Sequence, residues 1–299
     1  MNLLTALFLT FLSSASWAAS CCGGGFSIPA LILGDDKAQI TSSYSYSSVS
    51  DDVLSSGRWL KRGDNNLSQT LKLEGAVLIS ESMQAGFSLP VMTKSADGSA
   101  DSSGLGDAAL YFGHETFPEK GYSKWKPKGV TFLQLTLPTG TSIYDATATT
   151  ANESRGRGFY SLGAGLALLK SWKVWDANWS SEVHRSFSKN TSSASYGGNI
   201  EVTPGWGTSH TLGVGWNHGD YRVGSSLSFL YEEAIQIHGA TNSDGAAQKN
   251  FTLGISGSYM LNLESAVTVS YADQSLIGNP VNSSLSKTIN LSYQQRWPR

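Results

Sequence analysis

The chain has 299 residues, with 21 Lys and Arg against 23 Asp and Glu and a formal net charge of −2, so no basic footprint argues for nucleic acid. Charged residues make up only 15%, against ~25% in ordinary soluble domains, while glycine (32), tryptophan (9) and tyrosine (12) are abundant. After the N-terminus no apolar run reaches the ~20 residues of a spanning helix, so a membrane role would require a closed β-barrel.

Leu3 to Leu12 is a short apolar run followed by small and polar residues, the pattern of a secretory signal peptide. The expected boundaries are a signal at 1–20, a periplasmic linker or tether at 21–36 and an outer-membrane barrel at 37–299. The only two cysteines are neighbours, Cys21 and Cys22. Adjacent Cα atoms lie ~3.8 Å apart, too close for an ordinary structural disulfide. Ala18-Ala19-Ser20-Cys21 resembles a bacterial lipobox with Ala18 where leucine is usual, which makes Cys21 a candidate for lipidation. Ordinary cleavage near Ala18 or Ser20 is the alternative.

Beyond the linker the chain alternates. Leu71, Leu73, Val77 and Ile79 share one phase, as do Met83, Ala85, Phe87, Leu89 and Val91. Leu133, Leu135 and Leu137 follow, then Tyr160, Leu162, Ala164, Leu166 and Leu168. In "WKVWDANWSSEVHRSF" one face reads Trp175, Ala177, Trp179, Ser181, Val183 and the other Asp176, Asn178, Ser180, Glu182, His184. Similar segments centre on Val214, Leu227, Leu253, Val269 and Leu291. Segments of ~10 residues, apolar on one face and small or polar on the other, with aromatics near their ends, are the outer-membrane barrel pattern. A soluble sandwich or solenoid also alternates, but it does not need those aromatic girdles.

Loop lengths set the count. Long polar stretches at Ser48–Asn66, Thr93–Ser103 and Thr139–Gly158 belong outside, and short connections at Ser80–Ser82 and Ser171–Lys173 belong in the periplasm. Reading 195–206 as part of a long external loop, 188–208, keeps both rules and suits Pro204. The expectation is an all-β fold, a single antiparallel up-and-down barrel of about 12 strands. Phe117–Lys128 is a long inner turn that the scheme does not explain.

Two segments carry a resemblance. "SGLGDAALYFGHE" (Ser103–Glu115) and "FLQLTLPTGTS" (Phe132–Ser142) resemble the GLGD and LPTG segments of the MetA-pathway of phenol degradation family of outer-membrane proteins. "RGFYSLGAGLALLKSW", "WSSEVHRSF" and Pro204-Gly205 continue in the same order, so the resemblance spans roughly Ser103 to Glu233. It implies a barrel that passes small, often hydrophobic, molecules, and it brings no catalytic residues.

Strand phase nominates Asp107, Gln134, Asp176, Asn178, Glu182, His184, Arg222 and Glu232 as lumen-lining, where side chains would set selectivity. His184 with Glu182 could act as a general base, but no serine lies in a recognisable nucleophile motif. The other histidines lack ligand spacing, so neither a metal nor a cofactor is expected. The sequence points to an outer-membrane channel or transporter for small, hydrophobic or aromatic molecules, not to an enzyme. A structural or adhesive barrel with a closed lumen is the alternative, and a barrel hydrolase the remaining one. Expected partners are outer-membrane lipid and lipopolysaccharide, the outer-membrane insertion machinery, whose C-terminal signal the last strand Lys287–Trp297 resembles, and a small-molecule solute.

Overall fold

The computed structural model describes residues 30–63, 66–119, 121, 123–147, 152–193, 198–239 and 242–299. Candidate Cys21 and the expected signal therefore lie outside the described residues. Twelve long strands build the wall: β1 (Asp36–Val53), β2 (Asn66–Leu78), β3 (Met83–Ala96), β4 (Ala108–Phe117), β5 (Lys128–Leu137) and β6 (Ser161–Trp172). The second half is β7 (Trp175–Ser186), β8 (Trp206–His218), β9 (Tyr221–Glu232), β10 (Gln248–Met260), β11 (Ser265–Asp273) and β12 (Ser283–Pro298). Each pairs antiparallel with its chain neighbours, and β12 pairs with β1 from Asp36↔Pro298 to Val53↔Ser283, closing the barrel. Closure leaves no unpaired edge, the condition for a sheet to sit in hydrocarbon.

The alternation decides which face meets lipid. Leu71, Leu133, Leu212, Ile255, Val269 and Ile289 are all exposed on the outside, while Ser88, Ser180, Thr211, Ser258 and Ser270, on the alternate phase of their strands, are buried within. At the short-turn end Trp175 pairs with Trp216, and the Tyr221 and Tyr259 rings stand 4.9 Å apart, an aromatic belt for the inner interface. At the opposite end Trp206, the first residue of β8, and Tyr160 and Phe187, which flank β6 and β7, are exposed.

Residues 198–203 do form a strand, but outside the barrel wall. Lys189–Ser193, Gly198–Thr203, Gln236–His238 and Ser243–Asp244 make a separate four-stranded sheet beyond the long-loop end. Ile200, Val202 and Ile237 pack there against Tyr144 and Phe159 of the β5–β6 loop, a small core that explains why a loop region alternates. β8 begins at Trp206, three residues earlier than the sequence-based loop allowed. The long inner turn is tied back at its ends: Glu119 pairs with Lys170 at 2.6 Å, and the Lys124 carbonyl accepts from the Trp172 indole at 2.8 Å.

Candidate functional site: a lumen closed at two levels

The described part of the expected linker, from Ala30 onward, does not hang free below the barrel. Ala30, Leu31, Ile32 and Leu33 are buried inside it, which corrects the tether reading for these residues. The reason is apolar. Val130, Phe132, Ala167 and Leu169 point inward from β5 and β6 and form one cluster with Leu31 and Leu33, with Tyr111 packed on it. Backbone groups that enter a lumen must also be satisfied. Gln84 does this from both sides, accepting the Ile32 N–H at 2.6 Å and donating to the Ile32 carbonyl at 3.1 Å. Gln39 donates to the Leu31 carbonyl at 3.0 Å and Lys128 to the Gly34 carbonyl at 2.8 Å. Residues 30–34 thus form a plug in the half of the lumen nearest the short turns.

The second closure comes from the β5–β6 loop, and the GLGD and LPTG segments build it. Ser102–Leu105 pairs with the outer part of β3, β4 pairs with its inner part, and Gly106-Asp107 is the break between them. The break frees the Asp107 carboxylate for three backbone N–H groups: Gly140 at 3.0 Å, Arg157 at 2.6 Å and Gly158 at 3.1 Å. Thr139 completes the clasp, donating to the Gly106 carbonyl at 2.5 Å and accepting the Ala108 N–H at 2.9 Å. A Cβ on Gly156 would collide with the Asp107 carboxylate, so this approach needs glycine. The loop is therefore folded inward, with Arg155, Gly156, Arg157 and Phe159 in the lumen.

The inward loop and the wall line a cavity of about 430 Å³, and Tyr111, which packs on the plug cluster, is part of that lining. Of the residues nominated by phase, Asp107, Gln134, Glu182, His184 and Glu232 line it. His184 sits between two carboxylates, Nδ1 3.4 Å from Glu182 and Nε2 3.0 Å from Glu232, and Arg157 reaches Glu232 at 2.6 Å. Asp176, Asn178 and Arg222 are elsewhere, buried in the wall near the short-turn end. There Arg222 holds Asp176 with two hydrogen bonds, 2.9 and 2.8 Å, and Asn217 donates to the same carboxylate at 2.7 Å. Phase alone missed Arg155, Arg157, Lys72, Glu74 and Tyr111 of the lining. The two arginines sit in a loop without periodicity, whereas Lys72 and Glu74 were visible as the polar phase of β2.

The arrangement offers little to covalent chemistry. Both His184 nitrogens face carboxylates rather than a hydroxyl. Ser181 Oγ and His210 Nδ1 do meet at 2.8 Å, on the outer face, with Thr208 on the other ring nitrogen at 3.0 Å. The backbone there is committed to the β6–β7–β8 ladder, so no donors are left for an oxyanion.

No family model matches the chain, and no curated protein does. Among solved structures it is similar to the COG4313 outer membrane channel from Pseudomonas putida F1, at 14% identity and a TM-score of 0.73, over 92% of this chain and 99% of that one. The β domain of the Bordetella autotransporter BrkA, at 14% identity, aligns with a TM-score of 0.46 over 87% of this chain and all (100%) of that one. The Pseudomonas putida toluene transporter TodX, at 12% identity, aligns with 0.42 over 87% and 89%. The first likeness shows a shared fold: this chain is an outer-membrane β-barrel, and its lipid-facing apolar belt places it in a bacterial outer membrane.

Proposed function

We propose that this barrel is a channel or transporter for small molecules, gated by the inward loop on one side and the N-terminal plug on the other. The observation that carries the reading is the cavity of about 430 Å³ inside the barrel, lined by inward-facing wall residues and by Arg155, Gly156, Arg157 and Phe159 of the inward loop. Such a volume holds a small organic molecule and excludes bulky ones. Both closures are held by hydrogen bonds and one small apolar cluster each, not by a wall-to-wall core, so each can be displaced without unfolding the barrel. Tyr111, Phe159 and Leu230 add apolar surface to a polar lining, which suits solutes with a hydrophobic or aromatic body. The fold shared with a solved outer-membrane channel is consistent with this reading.

Planar-bilayer recordings of the purified barrel test it. The intact chain should show rare openings, and a variant lacking residues 30–34 should show frequent ones. Silence from both chains, reconstituted in folded form, would sink the transport reading. It would leave a closed structural barrel, whose external four-stranded sheet then becomes the natural contact surface.

A further inference from the structure

The charges around the cavity nearly all have partners. Glu74 pairs with Lys72 at 2.9 Å, Glu232 with Arg157 and His184, and Glu182 with His184. The Asp107 carboxylate accepts its three backbone N–H groups. Arg155 differs. Its Nη1 donates to Ser102 Oγ at 2.5 Å and its Nη2 to Thr141 Oγ1 at 3.0 Å, both uncharged, and its Nε has no partner. A guanidinium carries five N–H donors, so most of its capacity is unused. No carboxylate among the described residues lies within ion-pair distance of it. A second cation stands alongside, since Lys94 is the cross-strand partner of Ser102, and residues directly opposite project from the same face. The Lys94 ammonium likewise has no acidic partner among the described residues.

A cation held in place by hydroxyls and left without a counter-ion beside a cavity is the arrangement that recognises an anion, most strongly a planar carboxylate that can take two N–H groups. The rest of the wall constrains the anion's body. Phe159, Leu230 and Tyr111 line the same cavity, and its volume limits the guest to a small molecule. We propose that the outer end of the cavity binds a small monocarboxylate with an apolar body. Arg155 takes the carboxylate, Lys94 supports it electrostatically, and Phe159 with Leu230 contacts the body.

The inference rests on the reading that the lumen admits small solutes, and its test needs no current. Benzoate and its uncharged isostere benzamide are titrated calorimetrically into the full chain in detergent. Benzoate should bind saturably and benzamide at least about 10-fold more weakly. Arg155→Gln should weaken benzoate by about 10-fold or more, Arg155→Lys should restore part of that loss, and Lys94→Gln should raise the salt sensitivity-corrected Kd a few-fold. Lys61→Gln, exposed in the Ser48–Asn66 stretch, is the charge-matched control. Equal binding of benzoate and benzamide, or benzoate binding unchanged in Arg155→Gln, would overturn the site. Should Arg155→Gln fail to migrate as a folded barrel on an unboiled gel, the benzoate–benzamide pair on the native chain still decides. Binding without conductance would refute the channel and spare the site, whereas conductance without selective binding would do the reverse.

Discussion

Removing the Asp107 carboxylate should release the inward loop. Three backbone N–H groups from two parts of that loop converge on it, at 3.0, 2.6 and 3.1 Å. A hydrogen bond to a charged acceptor contributes about 1.5–3 kcal/mol net, and the lower end applies here because Asp107 is only half-buried. Asp107→Ala should therefore cost the docked loop about 4 kcal/mol. Asp107→Asn keeps one acceptor oxygen, which can serve Gly140 or the Arg157–Gly158 pair but not both, and should cost about 2 kcal/mol. Since 1.4 kcal/mol is a factor of ten, undocking rises roughly 30-fold for Asn and roughly 10³-fold for Ala.

The loop supplies its own reporter, because trypsin cleaves after Arg155 and Arg157 and both now sit inside the lumen. When cleavage is slow compared with reclosing, its rate follows the opening equilibrium. Trypsin added to intact cells or to reconstituted vesicles should cut Asp107→Ala fastest, Asp107→Asn at an intermediate rate and the parent chain slowest, with the barrel still resistant. If Asp107→Ala resists trypsin as well as the parent does, Asp107 is not the clasp and the loop is held by something else.

Gln84→Ala removes both bonds to Ile32, at about 1 kcal/mol each, and should raise plug undocking roughly 30-fold. Hydrogen exchange of residues 30–34 reads this directly, and unchanged protection would contradict it. Arg222→Ala leaves Asp176 buried without its cation, at a cost of about 3–5 kcal/mol, so the temperature at which the barrel loses its compact gel mobility should drop clearly. An unshifted temperature would show that Asp176 is compensated elsewhere. Asp145 couples the β5–β6 loop to the external sheet. Its burial would raise its pKa, but hydrogen bonds from Lys189, Ser142 and Thr191 and the Lys189 charge outweigh that and hold it at about 2. A depressed carboxylate stabilises above its ordinary pKa near 4 and loses that contribution as pH falls toward 2. Exchange protection of 189–193 should therefore hold at pH 5 and fall between pH 4 and 2, and Asp145→Asn should abolish the pH dependence; a flat profile in the parent chain would refute the coupling.

What was legible in the sequence is what lipid enforces. Each outward position must be apolar, so Trp175, Trp179, Leu212 and Leu227 announce strands and phase without reference to any partner. The strand count was legible too, because turn length differs between the two ends. Phase states which way a side chain points but not what it meets. Asp176 and His184 share one face of β7, yet Asp176 is held by Arg222 while His184 meets Glu232 from β9. Asp107 escapes the rule altogether: it sits in a break between strands, and its partners lie 33 to 51 residues further on. The plug, by contrast, left a trace that periodicity treats as noise. Val130, Phe132 and Leu169 are large apolar residues on the inward, nominally polar, phase, and Leu31-Ile32-Leu33 is an apolar triplet in a segment expected to be a hydrated linker. Neither anomaly is affordable alone, since each would expose hydrocarbon to water. Together they satisfy each other, so an apolar inward cluster in a barrel of this kind is a sequence-level sign that some part of the same chain fills the lumen beside it.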